Sequence, residues 1–159
     1  MKNNTADTAA EDSQNQGLLS VTESRAGAPG FTLSASLSPF TSGTESASDF
    51  ILTLSPTELL DDEGKNVSNG ADLKTAEAPL TSSGKTEDAK DVMNLAPNSY
   101  KTGAINASFT AADKNAKLKV SGSASGAKEA SSKSYNSTIT WTLAATASTD
   151  NTGSTDSGK

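Results

Sequence analysis

The stretch Tyr135-Asn-Ser-Thr-Ile-Thr-Trp-Thr-Leu143 contains the only tryptophan of the chain and a clean two-residue alternation. Large apolar side chains occupy alternate positions: Tyr135, Ile139, Trp141 and Leu143. Threonines stand between them: Thr138, Thr140 and Thr142. Alternation of aromatic and β-branched residues predicts a strand with one face in a core and the other in water. Mostly small and polar residues follow Ala144, so we expect this to be the last strand of the domain.

A second segment of the same design lies near the other end of the chain. Phe31-Thr-Leu-Ser-Ala-Ser-Leu37 places apolar residues on one face and threonine or serine on the other. An aromatic-Thr-Leu triplet therefore occurs twice, beginning at Phe31 and at Trp141. If these two aromatic residues face the same interior, the strands that carry them lie close together in space.

Further alternating runs complete a predicted set of six strands. The set comprises residues 18–23, 31–37, 50–54, 105–110, 117–121 and 137–144. Leucine, isoleucine, valine and phenylalanine make up only 24 of the 159 residues, and most of them cluster in alternating runs, which indicates a lean β core. The predicted fold is therefore all-β, a single-domain β-sandwich or β-barrel with long polar loops.

The polar stretches predict how the chain is organised around this core. Residues 1–16 and 147–159 have no apolar period, so they are predicted to be disordered tails that flank one domain at 17–146. Residues 56–100 are less regular, and we expect them to form a variable insertion. Within it, Pro56-Thr-Glu-Leu-Leu60 is predicted to form one helical turn with Pro56 at its start.

Charge and composition argue against several classes of partner. The net charge of −6 and the scattered lysines and arginines disfavour a nucleic-acid or anionic-membrane partner. Because cysteine is absent, the chain cannot form a disulfide, a thiolate metal site or a cysteine nucleophile. No apolar run approaches the roughly 18 residues of a membrane span, so no direct membrane insertion is expected.

The last predicted strand offers two kinds of ligand contact. Trp141 either fills the core or stacks on a sugar ring, and its apolar same-face neighbours Ile139 and Leu143 favour the core. The hydroxyls of the three threonines recur about every 6–7 Å, a spacing suited to glycan hydroxyls or to a partner strand. Solvated threonines of an ordinary strand have the same spacing, so both interpretations stay open.

Metal binding and catalysis receive little support from the sequence. The acidic run Asp61-Asp62-Glu63-Gly64-Lys65-Asn66 departs from the spacing of a calcium-binding loop, so we expect a solvated loop and no metal site. Without histidine or cysteine, carboxylates, lysines and tyrosines are the available acids and bases. A glycosidase would need two carboxylates flanking a cleft, for which Glu58, Asp62 and Glu63 are candidates. We predict no catalytic residue, no enzyme activity and no cofactor.

Two motifs at the ends of the predicted domain resemble a known family. The stretch LSVTESRAGAPGFTLSASLSPFTSG, from Leu19 to Gly43, and the terminal STITWTL are similar to the WxL domain of surface proteins from low-GC Gram-positive bacteria. The family carries an L-x-V-x-D-x-R strand, a Gly-Trp-x-Leu segment ending in Phe, and a closing Ile-Thr-Trp-x-Leu strand. Matching positions here are Leu19, Val21, Arg25, Gly30, Leu33 and Phe40, with Glu23 in place of the aspartate. The resemblance spans about residues 18–144.

This resemblance implies a non-catalytic module that attaches an exported protein non-covalently to the Gram-positive cell wall, with peptidoglycan as ligand. The expected partners are a membrane-anchored WxL-interacting protein and other WxL proteins, and the expected location is the extracellular wall surface. The absence of an apolar run after Met1 then indicates a mature fragment without its signal peptide. Ligand-binding residues are expected in both motifs: Phe31, Leu33, Thr138, Thr140, Thr142, Trp141 and Leu143.

One departure from the family pattern affects the first motif. Phe31 stands where the family usually has tryptophan, so the indole N–H donor is lost there while the apolar body is kept. The resemblance also permits an alternative function, a protein–protein assembly module for which the membrane-anchored partner is the primary ligand and wall association is secondary.

Overall fold

The computed structural model describes residues 17–110, 114–120 and 134–146, and all structural statements concern these ranges. Ten short strands and one 3₁₀ turn (Thr86–Asp88) account for the regular structure there. The strands are β1 (Leu18–Glu23), β2 (Phe31–Leu37), β3 (Phe40–Ser42), β4 (Glu45–Ala47), β5 (Ile51–Leu54), β6 (Ala78–Thr81), β7 (Lys90–Leu95), β8 (Gly103–Ser108), β9 (Ala116–Lys119) and β10 (Ile139–Ala145).

The two motif strands pair directly with each other. In the sheet that we call the motif sheet, the strand order is β10-β2-β7, and all pairings are antiparallel. Trp141 lies opposite Ala35, and Leu143 lies opposite Leu33. Since opposed residues project to the same face of a sheet, the inward face of β2 continues onto β10. The predicted proximity of the two motifs is confirmed.

The other strands form three further antiparallel units. The second sheet has the order β6-β5-β9, β1 pairs with β8, and β3 and β4 form a hairpin. Among the strands that the structure describes, no sheet closes into a barrel. The all-β prediction is therefore confirmed, and of its two architectures the structure is consistent with the β-sandwich.

The alternation read from the sequence decides which residues of β2 enter the core. Its apolar residues are buried and its polar residues are half-buried, so every second side chain points inward. They meet buried residues of the second sheet, β7, β8 and the connecting loops, including Leu80, Val92, Tyr100 and Ile105. One apolar cluster thus joins the sheets.

The segment 56–100 differs from its prediction as an irregular insertion. It contributes β6 and β7, and β7 completes the motif sheet. The predicted helical turn at Pro56 is wrong, because Glu58 and Leu60 instead form isolated β-bridges with Lys74, Asn66 and Asn106. The bridge between Leu60 and Asn106 places this part of the segment against β8.

Strand limits agree closely at the first motif and less closely elsewhere. The predictions for 18–23 and 31–37 coincide with β1 and β2, whereas the other four are shifted by one to two residues at one or both ends. Ser121, the end of one predicted strand, and the predicted tails at 1–16 and 147–159 lie outside the described residues.

Candidate functional site

The outward side of the motif sheet is a surface rich in hydroxyl groups. Thr140 lies opposite Ser36 and Thr142 opposite Ser34, so threonines of β10 and serines of β2 share one face. The threonines are exposed and the β2 residues half-buried. We call this surface the hydroxyl face, and its members are Thr32, Ser34, Ser36, Thr138, Thr140 and Thr142.

Strand β7 extends the hydroxyl face with other polar groups. Asn94 lies opposite Thr32, and Asp91 lies opposite Ser34. Neighbouring strands are about 4.8 Å apart and same-face residues about 6.6 Å apart along a strand. The face is therefore a regular array of hydrogen-bonding groups that can both donate and accept, with one carboxylate at its border.

The inward side of β10 is only partly buried, because β10 lies at the edge of the motif sheet. Ile139 and Trp141 are half-buried against the core, and Leu143 is 53% exposed. A cavity of about 250 Å³ lies beside them, lined by residues that include Leu18, Leu52 and Phe109. We call this cavity the edge groove. Trp141 is thus neither a sealed core residue nor a free surface ring.

The first motif contributes to the interior and not to a ligand-accessible surface. Phe31 is 2% exposed and Leu33 is 4% exposed. The Phe31 ring packs edge-on against Tyr100, with ring centroids 5.8 Å apart. The structure thus brings Phe31 and Leu33 onto the same sheet as the threonines of β10 but leaves them almost no surface for ligand contact. They can act on a ligand only by supporting β10.

An ion pair between the buried Glu23 and the half-buried Arg25, which the sequence motifs did not reveal as such, joins the two ends of the domain. The Glu23 carboxylate accepts hydrogen bonds from the Arg25 backbone N–H and Nε, both at 2.9 Å, and from Arg25 Nη2 at 2.5 Å. Tyr100 Oη donates to the same carboxylate at 2.8 Å. We call these three residues the ionic clamp.

The ionic clamp holds the backbone where β2 begins and β10 ends. Arg25 Nη1 donates to the Thr146 carbonyl at 2.7 Å, and Nη2 donates to the Gly30 carbonyl at 3.0 Å. Gly30 has φ of +96°, and a Cβ there would lie 2.7 Å from the Leu95 carbonyl oxygen, so glycine is required. The ionic clamp therefore holds the C-terminal end of β10 next to the beginning of β2.

The electrostatics of the clamp keep Glu23 ionised. Hydrogen bonding from the Arg25 side chain outweighs burial and lowers the pKa of Glu23 from 4.5 to about 2. Burial, reinforced by Glu23, raises the pKa of Tyr100, so its hydroxyl stays protonated and remains a donor. A charge-assisted network of this kind is a structural anchor in the interior rather than a reactive group.

The carboxylates of the acidic loop are engaged within the loop and by Asn106 of β8. Asp61 Oδ1 accepts hydrogen bonds from the Glu63 and Lys65 backbone N–H groups, and Lys65 Nζ lies 2.6 Å from Glu63 Oε2. Asp62 Oδ1 accepts from Asn106 Nδ2. Within the described ranges, no three acidic, histidine or cysteine side chains group as a metal site would require.

The candidate glycosidase carboxylates are partly brought together. Glu58 and Asp62 both line a depression of about 460 Å³ beside Leu18 and Asn106, whereas Glu63 does not line it. Asp62 is already engaged by Asn106 there. Glu58 and Asp62 therefore share an open surface depression rather than a water-excluding cleft.

Sequence reasoning missed both the edge groove and the role of the clamp. The groove draws residues from β1, β5, β9 and β10, and a pairing between distant strands leaves no local signal. The clamp did leave a signal, because Glu23 and Arg25 are two residues apart in an alternating strand pattern. Glu23 continues the inward-facing positions of β1, and a charged residue at such a position indicates a buried ion pair.

Comparisons with known proteins add one finding. A family model described as "WxL domain surface cell wall-binding" matches residues 1–147. No curated protein and no solved structure gave a significant match. In the part of the chain that the structure describes, no helix has the length and apolar character needed to cross a membrane.

Proposed function

The chain belongs to the WxL family of surface cell wall-binding domains, and from this premise we propose that it is a non-catalytic module that binds peptidoglycan non-covalently. We propose that the module comprises residues 17–146. It acts at the extracellular surface of the wall, and we expect this binding to require neither a cofactor nor a metal.

The observation that carries this proposal is the exposed hydroxyl face of the motif sheet. Glycan chains present repeated hydroxyl and amide groups, which pair well with a surface of groups that donate and accept. Thr138, Thr140 and Thr142 supply the exposed contacts, and the buried Phe31 and Leu33 fix the sheet beneath them. Trp141 and Leu143 flank this surface on the inward side and set the position of the strand.

Attachment through many weak polar contacts needs no chemical step. The chain has no histidine and no cysteine, and the family is a wall-binding one, so the Glu58 depression is proposed to be a surface feature. A hydrolase would instead release soluble fragments from the wall and would lose that activity in Glu58→Gln.

The test is cosedimentation of the full chain with purified sacculi. The variants Thr140→Val and Thr142→Val keep the β-branched shape and remove one hydroxyl each, and Thr22→Val makes the same change at an exposed threonine of β1. We expect the wild type and Thr22→Val to pellet with the wall and the two β10 variants to pellet less, with thermal melts unchanged. If the folded wild type stays in the supernatant, direct wall binding is wrong.

A second candidate function is assembly with a membrane-anchored WxL-interacting protein, and the apolar side of β10 favours it. Leu143 is 53% exposed, and exposed apolar groups beside a groove are typical of protein contacts. Under this function, sacculi retain the chain only when they still carry the partner protein. Purified sacculi stripped of protein separate the two functions.

A further inference from the structure

Strand β10 lies at the edge of the motif sheet, and among the described residues it pairs only with β2. The Ser38 N–H donates to the Thr138 carbonyl at 2.9 Å, and the Thr146 N–H donates to the Gly30 carbonyl at 3.0 Å. In an antiparallel ladder, alternate residues turn their N–H and C=O groups to the other side. The backbone groups of Ile139, Trp141 and Leu143 therefore point away from β2, toward the open edge.

The edge strands β9 and β10, which both line the edge groove, differ in charge. Strand β9, the edge of the second sheet, carries Lys117 and Lys119, and lysines on an edge discourage pairing with another chain. Residues 134–146, which contain β10, carry no charge at all. A neutral edge in a chain of net charge −6 lacks the usual protection against strand pairing.

The first five residues of β10 are nearly a palindrome. Ile-Thr-Trp-Thr-Leu, residues 139–143, reads as apolar-Thr-Trp-Thr-apolar in either direction. Antiparallel pairing of such a segment with itself about Trp141 sets Ile139 opposite Leu143 and Thr140 opposite Thr142. Apolar and Thr–Thr cross-strand pairs are both favourable. A two-fold interface needs this self-complementarity, whereas an unrelated partner strand does not.

We propose that β10 pairs antiparallel with β10 of a second copy of this chain, centred on Trp141. The pairing joins two motif sheets into one six-stranded sheet and covers the exposed Leu143 with Ile139 of the second copy. Residues 139, 141 and 143 supply the outward backbone groups, each of which pairs in the new ladder. The two-fold axis is perpendicular to the sheet, so both hydroxyl faces lie on one side.

The interface is small, so the dimer is reversible. One strand pair buries less than the roughly 1,200 Å² of a stable protein–protein interface. We therefore expect dimers at high protein concentration and monomers in dilute solution. Crowding on a surface raises the local concentration and favours the dimer.

The first test is sedimentation velocity of the full chain from micromolar to millimolar concentration. Leu143→Lys places a charge on the β10 edge, and Leu118→Lys is a matched control, because Leu118 is 47% exposed on the other edge strand. We expect the sedimentation coefficient to rise with concentration for the wild type and for Leu118→Lys. Leu143→Lys should associate roughly tenfold more weakly or not at all, since its charge would be desolvated in the pair.

The second test fixes the register and uses the absence of native cysteine. Thr140 and Thr142 of the second copy form a non-hydrogen-bonded pair with Cα atoms about 4.5 Å apart, within the range of a disulfide. A mixture of Thr140→Cys and Thr142→Cys proteins should cross-link under mild oxidation faster than either protein alone. The rate of cross-linking reports the pairing of β10 without introducing a charge at its edge.

Two results would overturn the proposal. One is a wild-type chain that stays monomeric at all concentrations and gives no cross-link in the mixture. The other is equal weakening of association by Leu143→Lys and Leu118→Lys with no preference for the mixed disulfide, which would place the contact elsewhere. In either case the edge of β10 is available to a different protein.

Discussion

At the scale of single residues, Glu23 is a buried charge that links distant parts of the fold. Its side chain is only 3% exposed, yet it is charged and receives donors from Arg25 and Tyr100. Through Arg25 it reaches the Gly30 and Thr146 carbonyls, at the two ends of the paired motif strands. A buried carboxylate with all its partners in place stabilises the fold, whereas loss of one partner leaves the others unpaired.

We expect Glu23→Gln to lower the free energy of unfolding by about 2–3 kcal/mol, because hydrogen bonds to a buried charge are lost and Arg25 is left without its counter-ion. The effect should depend on pH. Since the pKa of Glu23 falls from 4.5 to about 2 on folding, the wild type keeps this stabilisation above pH 4.5 and loses it as the pH falls toward 2. Glu23→Gln should lack this component of acid destabilisation.

Urea unfolding of the wild type and Glu23→Gln across this pH range is the measurement. Glu63→Gln is the control, because the Glu63–Lys65 pair is exposed, with about 70% of both side chains in solvent, and such pairs contribute little. Equal losses for the two variants, or a parallel pH dependence of the wild type and Glu23→Gln, would contradict the assigned role of the clamp.

At the scale of strands, the sequence predicted the elements whose alternation is unbroken and missed those in which it is interrupted. Strands β1 and β2 alternate strictly and were located to the residue. Where β7 pairs with β2, the register shifts between Leu33 and Ser34 of β2. At this bulge the neighbouring residues Val92 and Met93 of β7 are both buried, so the two-residue period of β7 fails. Strand β6 contains Pro79, which the pairing tolerates because β6 is an edge strand.

The candidate site could be predicted only in part, because a sequence shows local periodicity but not which strands lie at the sheet edges. The hydroxyl face follows from the period of β10, which is local. The edge groove and the exposure of Leu143 depend on which strands lie at the sheet edges, and strand order was not inferable from the chain. The family motif located β10 correctly but carried no information on its free edge.

Because β7 is a core strand, Val92→Ala should be destabilising although it lies in a segment expected to be an insertion. Val92 is fully buried, and loss of its two methyl groups should cost about 1–3 kcal/mol in the free energy of unfolding. Val120→Ala is the matched control, since Val120 is 57% exposed. Chemical denaturation of both variants is the check, and similar midpoints for the two would mean that β7 is not packed as described.

At the scale of the whole molecule, the fold brings the two family motifs together from opposite ends of the chain. β2 and β10 are about a hundred residues apart in sequence, and the clamp joins residues 25 and 146. The polar surface proposed to bind the wall and the edge proposed to dimerise are therefore two sides of one strand. A change at the edge need not alter the hydroxyl face, because alternate residues form the two surfaces.

Wall attachment and dimerisation should then reinforce each other. Two hydroxyl faces on one side of a six-stranded sheet contact the wall at once, and the second contact forms at high effective concentration. We expect Leu143→Lys, with its hydroxyl face intact, to bind purified sacculi roughly tenfold more weakly than Leu118→Lys, because only the latter dimerises on the wall. Cosedimentation isotherms for both variants and the wild type measure this. Identical isotherms would show that each copy binds the wall independently. If Leu118→Lys also bound sacculi more weakly than the wild type, the wall contact would lie on the second sheet.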